Sequence, residues 1–323
     1  MLLFVTVALT VVTIVAARFA FRIDALREQA STMQSYAQGR LQASSARAQA
    51  LYWLSTRPIG YASAGFADEQ PLVLDGRPYD MGEGAQLRVQ DSRGLLSVNV
   101  PDREALASML QTSGAGFDQA SAMLDVLEDY VDGDNLRRLN GAESSDYSAL
   151  GLPPPRNDWM LSVDELGRMA VWSNWEGRAK VSPWLGVHRI KLFNPNTAPL
   201  ELMQSIWPKI SKQQWELFET LRKRAPFANA DSVLATTGIP FSGEQFLFHA
   251  SNALRLQVWA PGLPQALEYN LLILPTGASA PWLIHELRQI SRPAPTDAIT
   301  PAAKFPVPSQ AVAVPGPPTL PTP

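Results

Sequence analysis

The sequence predicts an α+β fold: a long N-terminal helix on a small antiparallel sheet, with a large all-α insertion of two helical modules. Three observations predict it. Leu2 to Ala17 is an uncharged apolar run whose helical pattern continues to about Arg57, where Pro58 stops it. Short strand-like segments bounded by turn residues stand early, over 72–100, and late, over 253–287. Helical patterns fill the interval between them, which is the α+β arrangement. In chain order the parts are an anchor and stem helix (1–57), early strands (58–100), a first helical module with an acidic loop (101–187), a second helical module (188–250), returning strands (251–292) and a Pro-rich tail (293–323).

The stem has a readable face. Leu26, Ala30, Met33, Ala37, Leu41, Ser44, Ala48 and Leu51 recur at steps of three and four, one stripe of a helix. Arg18, Arg22, Asp24, Arg27, Glu28 and Arg40 lie elsewhere and meet water. At 1.5 Å per residue the helix is about 80 Å long. The apolar run is short of the ~20 residues of a full span; Phe19, Ala20 and Phe21 extend it if Arg18 snorkels. A cleaved signal peptide is disfavoured, because neither a basic region before the run nor a small-residue cleavage zone after it is present. That leaves a single-pass anchor. The positive charges follow the span, which by the positive-inside bias alone would place the soluble part in the cytoplasm; the expectation is that a basic leader precedes Met1.

Composition limits the rest. Hydrophobic residues are 46% of the chain, enough for a real core. A formal charge of -3 and a pI near 5.7 give no push towards nucleic acid. With no cysteine, disulfides and thiolate sites are excluded.

The early strands follow from turn chemistry. Leu72-Val73-Leu74 runs into Asp75-Gly76, a hairpin dipeptide. Ala85–Val89 alternates, and Asp91-Ser92-Arg93-Gly94 turns into Leu95–Val100. Late strands are expected at Ala253–Trp259, Leu267–Pro275 and Trp282–Leu287, all antiparallel. The tail, with ten prolines from Pro293 to Pro323, builds neither core nor ladder; it reads as a disordered spacer, partly polyproline II, with a Pro-rich docking peptide as the alternative.

A weak internal repeat organises the helices. Ser97-Val98-Asn99-Val100-Pro101 precedes Leu106, Met109 and Leu110; about 95 residues later Leu192-Phe193-Asn194-Pro195-Asn196-Thr197-Ala198-Pro199 precedes Leu202, Met203 and Ile206. Each copy is an extended piece, an Asn and a capped helix, with Asn196 or Thr197 as cap and Pro199 in the first turn. A second helix follows each, at Gln119–Val131 and Lys212–Lys223. Thr237-Gly238-Ile239-Pro240 resembles the turn of a helix-hairpin-helix, which makes a membrane-anchored DNA-binding protein the alternative function. No Lys or Arg lies between Ala225 and Asn252 to meet phosphate, so the module is read as packing and no nucleic-acid partner is expected.

One constellation carries chemistry. Asp129, Asp132, Asp134, Glu143 and Asp146 place five carboxylates within eighteen residues. Asp132 and Asp134 flank Gly133, so a turn can aim both at one point. Hard oxygen donors suit Ca²⁺, which takes six to eight of them. The spacing is not that of an EF-hand, and composition alone favours a solvated acidic turn.

The ordered set of Gly94-Leu95-Leu96-Ser97-Val98-Asn99, Asp129-Tyr130-Val131-Asp132-Gly133-Asp134, Gly141-Ala142-Glu143 with Tyr147, Asn157, Ser162–Leu166 and Asn194–Pro199, behind an apolar N-terminal helix, resembles the K-type minor pseudopilins of the type II (general) secretion pathway. The resemblance covers about residues 1–290 and leaves the tail outside. It implies a pilin-like fold and a structural Ca²⁺ near the acidic block, with Asp129, Asp132, Asp134 and Glu143 as the residues carried over. It implies a subunit at the tip of a periplasmic pseudopilus, held in the bacterial inner membrane by one helix, initiating assembly and supporting export. The partners implied are the other minor pseudopilins, the major pseudopilin, the inner-membrane assembly platform, and secreted cargo or the outer-membrane channel. The acid usual at the fifth position of pilins is missing in this subunit type, and here Val5 stands fifth. Three departures are visible: no leader ending in Gly precedes the apolar run, Tyr130 replaces the commoner Trp, and Trp172 and Trp175 stand where a Gly-containing turn is expected.

An enzyme is not expected. His188, His249 and His285 are scattered, His285-Glu286 lacks a second His, and neither a Gly-Lys-Ser/Thr loop nor a Gly-x-Ser-x-Gly elbow occurs.

Overall fold

A computed structural model describes residues 1–241, 244–277, 279–292 and 302–307. Helix α1 runs from Leu2 to Thr56 and ends where Arg57 turns extended before Pro58. Three small or short strands follow, β1 (Ser63–Ala64), β2 (Leu72–Val73) and β3 (Asp75–Asp80), then β4 (Gln86–Asp91) and β5 (Leu96–Ser97). The helical part contains α2 (Arg103–Thr112), α3 (Phe117–Val131), α4 (Ser144–Ala149), α5 (Arg178–Val181), strand β6 (Leu185–Gly186), then α6 (Leu200–Ile206), α7 (Lys212–Arg224) and α8 (Ala230–Thr237). Strands β7 (Ala253–Trp259), β8 (Ala266–Ile273) and β9 (Trp282–Ile290) return, and β10 (Ala303–Lys304) comes last.

The main sheet has the order β10-β3-β4-β7-β8-β9, antiparallel except for the β10–β3 pair. The expected α+β class is borne out. Two expectations are corrected. Leu96-Ser97 leaves the main sheet and pairs in parallel with Leu185-Gly186, because Leu96 packs into the helical core rather than against the stem. The tail expected as disordered over 293–323 contributes an ordered strand at 303–304, since its small and aromatic side chains find a sheet edge; 293–301 and 308–323 lie outside the described residues.

Two cores form. In one, α1 lies across the sheet with Ala43, Ala46, Ala50, Leu51, Trp53 and Leu54 against Leu87, Val89, Leu254, Leu256 and Tyr269. The small residues let backbone and sheet approach closely. Gly39 is the extreme case: a Cβ there would meet the Pro261 carbonyl oxygen, and the β7–β8 turn reaches back with Gly262 at φ +85° against the Ser35 carbonyl. The helix therefore buries a face offset from the expected stripe. Of that stripe only Leu51 is buried; Leu26, Met33, Leu41, Ser44 and Ala48 stay exposed. No position of α1 before Gly39 is buried.

The second core is the helical part, with Leu106, Met109, Met123, Leu127, Trp172, Trp215 and Phe218 fully buried. Trp172, where a turn was expected, is a core residue whose indole donates to the Met123 carbonyl at 2.7 Å. The repeat takes physical form in its asparagines. Asn99 donates to the Met160 and Val187 carbonyls and accepts from Met160 N–H. Asn196 donates to the Phe227 carbonyl and accepts from Phe227 N–H. Neither Asn196 nor Thr197 caps α6, as had been expected. Pro199 is the residue before its first turn, and both side chains are spent on tertiary contacts.

Charged groups join the cores. Glu268 of β8, almost fully buried, accepts from Arg288 of β9 at 2.7 Å and from Gln257 at 2.7 Å, and Arg288 reaches Asp164 of the helical part at 2.7 Å. Arg255 of β7 donates to the Pro183 and Leu185 carbonyls.

Candidate metal centre

The acidic block is built by the end of α3. The apolar face of that helix, Ala120, Met123, Leu124 and Leu127, sets its orientation in the core. Asp125 and Asp129, one turn apart, share a buried face. Helix geometry stops at Asp132, which turns extended, and Gly133 begins the loop. Asp125 accepts from Arg103 and from the backbone and side chain of Asn140. Burial raises its pKa, and the hydrogen bonds from Arg103 and Asn140 outweigh that and hold it below the usual carboxylate value.

Arg138 is the loop's pin. Its guanidinium reaches Asp129 Oδ1 and Asp132 Oδ2, each at 2.7 Å, and Glu128 at 2.9 Å, while its backbone N–H donates to Asp129 Oδ2 at 3.1 Å. Asp132 and Asp129, with Glu128, hold the guanidinium firmly charged. Gly141 is needed because a Cβ there would run into the Asp129 carboxylate. This explains the Gly-Ala-Glu element: the glycine lets the chain pass Asp129, Ala142 enters the core, and Glu143 turns inward.

Glu143 precedes α4, and its backbone N–H donates to Asp146 Oδ2 at 2.9 Å. Its side chain is 4% exposed, yet neither carboxylate oxygen has a hydrogen-bond partner. One oxygen each from Asp132, Asp134 and Glu143 lies within 4.8 Å of the others. Two oxygens on one Ca²⁺ at 2.3–2.6 Å are at most about 5 Å apart, so the spread fits a shared ion of that size. Asp132 Oδ1 is likewise buried without a partner, as is Asn157 Oδ1. Asn157 sits at the loop because its amide donates to the Asp134 carbonyl at 2.7 Å. Burial, then repulsion from Asp129, Asp132, Asp134 and Asp146, raises the pKa of Glu143 above the ordinary value. Unpartnered buried carboxylate oxygens beside like charges are costly, and a hard cation relieves both costs at once. The residues present fit one.

Of the four residues named from the sequence, the structure brings Asp132, Asp134 and Glu143 together and commits Asp129 to Arg138. Arg138 and Asn157 as positioning groups were not legible, since neither has a metal-ligand spacing. No other cluster of three His, Asp or Glu side chains converges among the described residues. His188 and His285, scattered in sequence, do meet, with ring centroids 5.6 Å apart.

Comparison with known proteins agrees with this architecture. Residues 86–188 match the model of the family described as type II secretion system (T2SS), protein K. No curated protein matches. A chain in the crystal structure of the GspK-GspI-GspJ complex from the enterotoxigenic Escherichia coli type 2 secretion system superposes with a TM-score of 0.58 at 16% identity, over 82% of this chain and 100% of that chain. At that identity the likeness is one of fold, a long helix on an antiparallel sheet with inserted helices. With the family match over 86–188 it agrees with the resemblance carried by the motifs: residues 86–188 are similar to protein K of the type II secretion system, and the fold is similar to that of a chain of the GspK-GspI-GspJ complex.

Proposed function

We propose that this protein is a non-enzymatic tip subunit of the periplasmic pseudopilus, which starts its assembly and supports export across the outer membrane. The exposed apolar start of α1, the one helix long and apolar enough to cross a membrane among the described residues, holds it in the inner membrane with the rest in the periplasm. The observation that carries the reading is the open stripe of the stem. Leu26, Met33 and Leu41 are each more than half exposed; before Gly39 the helix has no buried face, and from Gly39 on its other face is spent on its own sheet. Water-exposed apolar side chains in register along a helix call for partner stems, and the related complex is one of three minor pseudopilins. The helical part adds a bulk as large as the sheet domain, which suits an end position. Ca²⁺ held by Asp132, Asp134 and Glu143 orders the loop 132–143 and does no chemistry.

The chain has no cysteine, so a Leu41→Cys variant carries one thiol. Paired with single cysteines at matching stem heights of the other minor pseudopilins, it should form disulfide-linked heterodimers in membranes. Gln49→Cys, on an exposed position outside the stripe, should form far fewer. Equal trapping at both positions, or trapping only with the major subunit, would overturn the reading.

A further inference from the structure

The outer edge of the sheet holds a built groove. Strand β3 contains Pro78, which has no N–H to offer, so regular edge pairing is confined to Tyr79 and Asp80 before the turn at Gly82. That short edge is closed by the chain's own tail. Ala303 pairs with Tyr79 and Lys304 with Asp80 in parallel, and Phe305 N–H donates to the Asp80 carbonyl at 3.3 Å. The Phe305 ring sits edge-on to Trp53 of the stem at 6.0 Å and to Tyr79 at 6.2 Å. Pro306 beside it is buried.

Three features separate the groove from its occupant. Its walls come from the stem and β3 and belong to the stem core, so the tail is not needed to make them. The tail's hold is light: a two-residue ladder and one ring. A cavity of about 440 Å³ adjoins the occupant, lined by Gln49, Tyr52, Trp53, Met81 and Gly82, so the groove has room beyond the segment it holds.

We propose that this groove is a peptide-docking site for a short extended segment of small, basic, aromatic and proline residues, and that Ala303–Pro306 is its resident ligand in cis. The tail is then an exchangeable cap. While docked it blunts a sheet edge that would otherwise accept a strand from another chain. The proposal rests on the sheet edge alone and is independent of the tip assignment.

The test uses the full chain in detergent and a fluorescent, end-blocked peptide of residues 302–307. A ligand tethered in cis competes at an effective concentration of about millimolar. Wild type should therefore bind micromolar peptide poorly, and Phe305→Asp, which evicts the tail, should bind it at least about tenfold more tightly. A peptide with Ala in place of its Phe should fail on both. Equal binding to both proteins, binding to neither, or indifference to the peptide's Phe would overturn the proposal. The variant's circular dichroism and melting check that the groove itself is intact.

Discussion

Asp91, at the end of β4, accepts a hydrogen bond from Thr197 Oγ1, 106 positions later, at 2.8 Å. The same fully buried carboxylate accepts from Asn194 Nδ2 at 3.2 Å and from the backbone and hydroxyl of Ser251 at 2.9 and 2.6 Å. One acid thus ties together the main sheet, the Asn-Pro-Asn-Thr-Ala-Pro lead-in to α6 and the return of the chain into β7. The lead-in that looked like a helix cap is a junction between the two cores.

Removing that carboxylate strands several buried donors. Asp91→Ala should cost at least about 3 kcal/mol, read as a lower urea midpoint. Thr197→Val, which removes one donor and keeps the shape, should cost about 1–2 kcal/mol. Equal losses from the two would show that the acid acts through one bond rather than as a hub.

At Gly39 two effects oppose. Alanine is favoured over glycine inside a helix by about 1 kcal/mol. The added Cβ, however, meets the Pro261 carbonyl, a backbone atom that cannot yield without shifting the β7–β8 turn. Overpacking of this kind costs about 1–3 kcal/mol, so Gly39→Ala should destabilise. A rise in melting temperature would mean that the turn moves aside freely.

Much of this was legible because it rests on period and turn chemistry. The stem, the alternating strands and the Asp132-Gly133-Asp134 turn all announce themselves locally. The buried face of the stem did not. Leu and Met mark most of the outward stripe, whereas the inward face, before Leu51, Trp53 and Leu54 close it, is Gly39, Ala43, Ala46 and Ala50, whose value lies in how little space they take. Hydrophobic pattern finds large side chains, and here close packing needs small ones. Arg138 was hidden for another reason: it acts by closing a loop, and loop closure has no period; Asn157 was visible only through the family resemblance, and its part in the loop was not. Strand β10 was masked by the prolines around it.

For the acidic loop, millimolar Ca²⁺ should raise the melting temperature of the protein; at 100 times the Kd the gain is about 2.7 kcal/mol. EDTA should reverse it, and Asp132→Ala with Asp134→Ala should abolish it. Glu143→Gln separates the parts. Without metal it should be as stable as wild type or more so, because an unpartnered buried charge is gone, and it should lose the Ca²⁺ response. The sign in pH follows. The Glu143 pKa is raised in the folded state, so without Ca²⁺ its contribution favours folding at low pH and is lost as pH climbs from the ordinary 4.5 through the raised value. Ca²⁺ should flatten that limb. A Ca²⁺ response that survives in Glu143→Gln would place the ion elsewhere.

His188 gives the opposite slope. Burial, then the neighbouring His285 ring and the Arg255 guanidinium, push its pKa down from 6.5 to about 4. Its Nε2 is buried without a partner. The folded state therefore keeps this ring neutral where the unfolded chain would bind a proton. Stability is full above pH 6.5 and falls as pH drops from 6.5 through about 4, by at most about 3 kcal/mol, because partial exposure screens the group. His188→Gln should remove this acid limb while leaving stability at pH 8 within about 1 kcal/mol. His285→Gln should weaken the limb only in part, since burial is the larger cause. Urea midpoints of the three proteins between pH 4 and 8 measure this directly, and parallel curves for wild type and His188→Gln would remove His188 from the account.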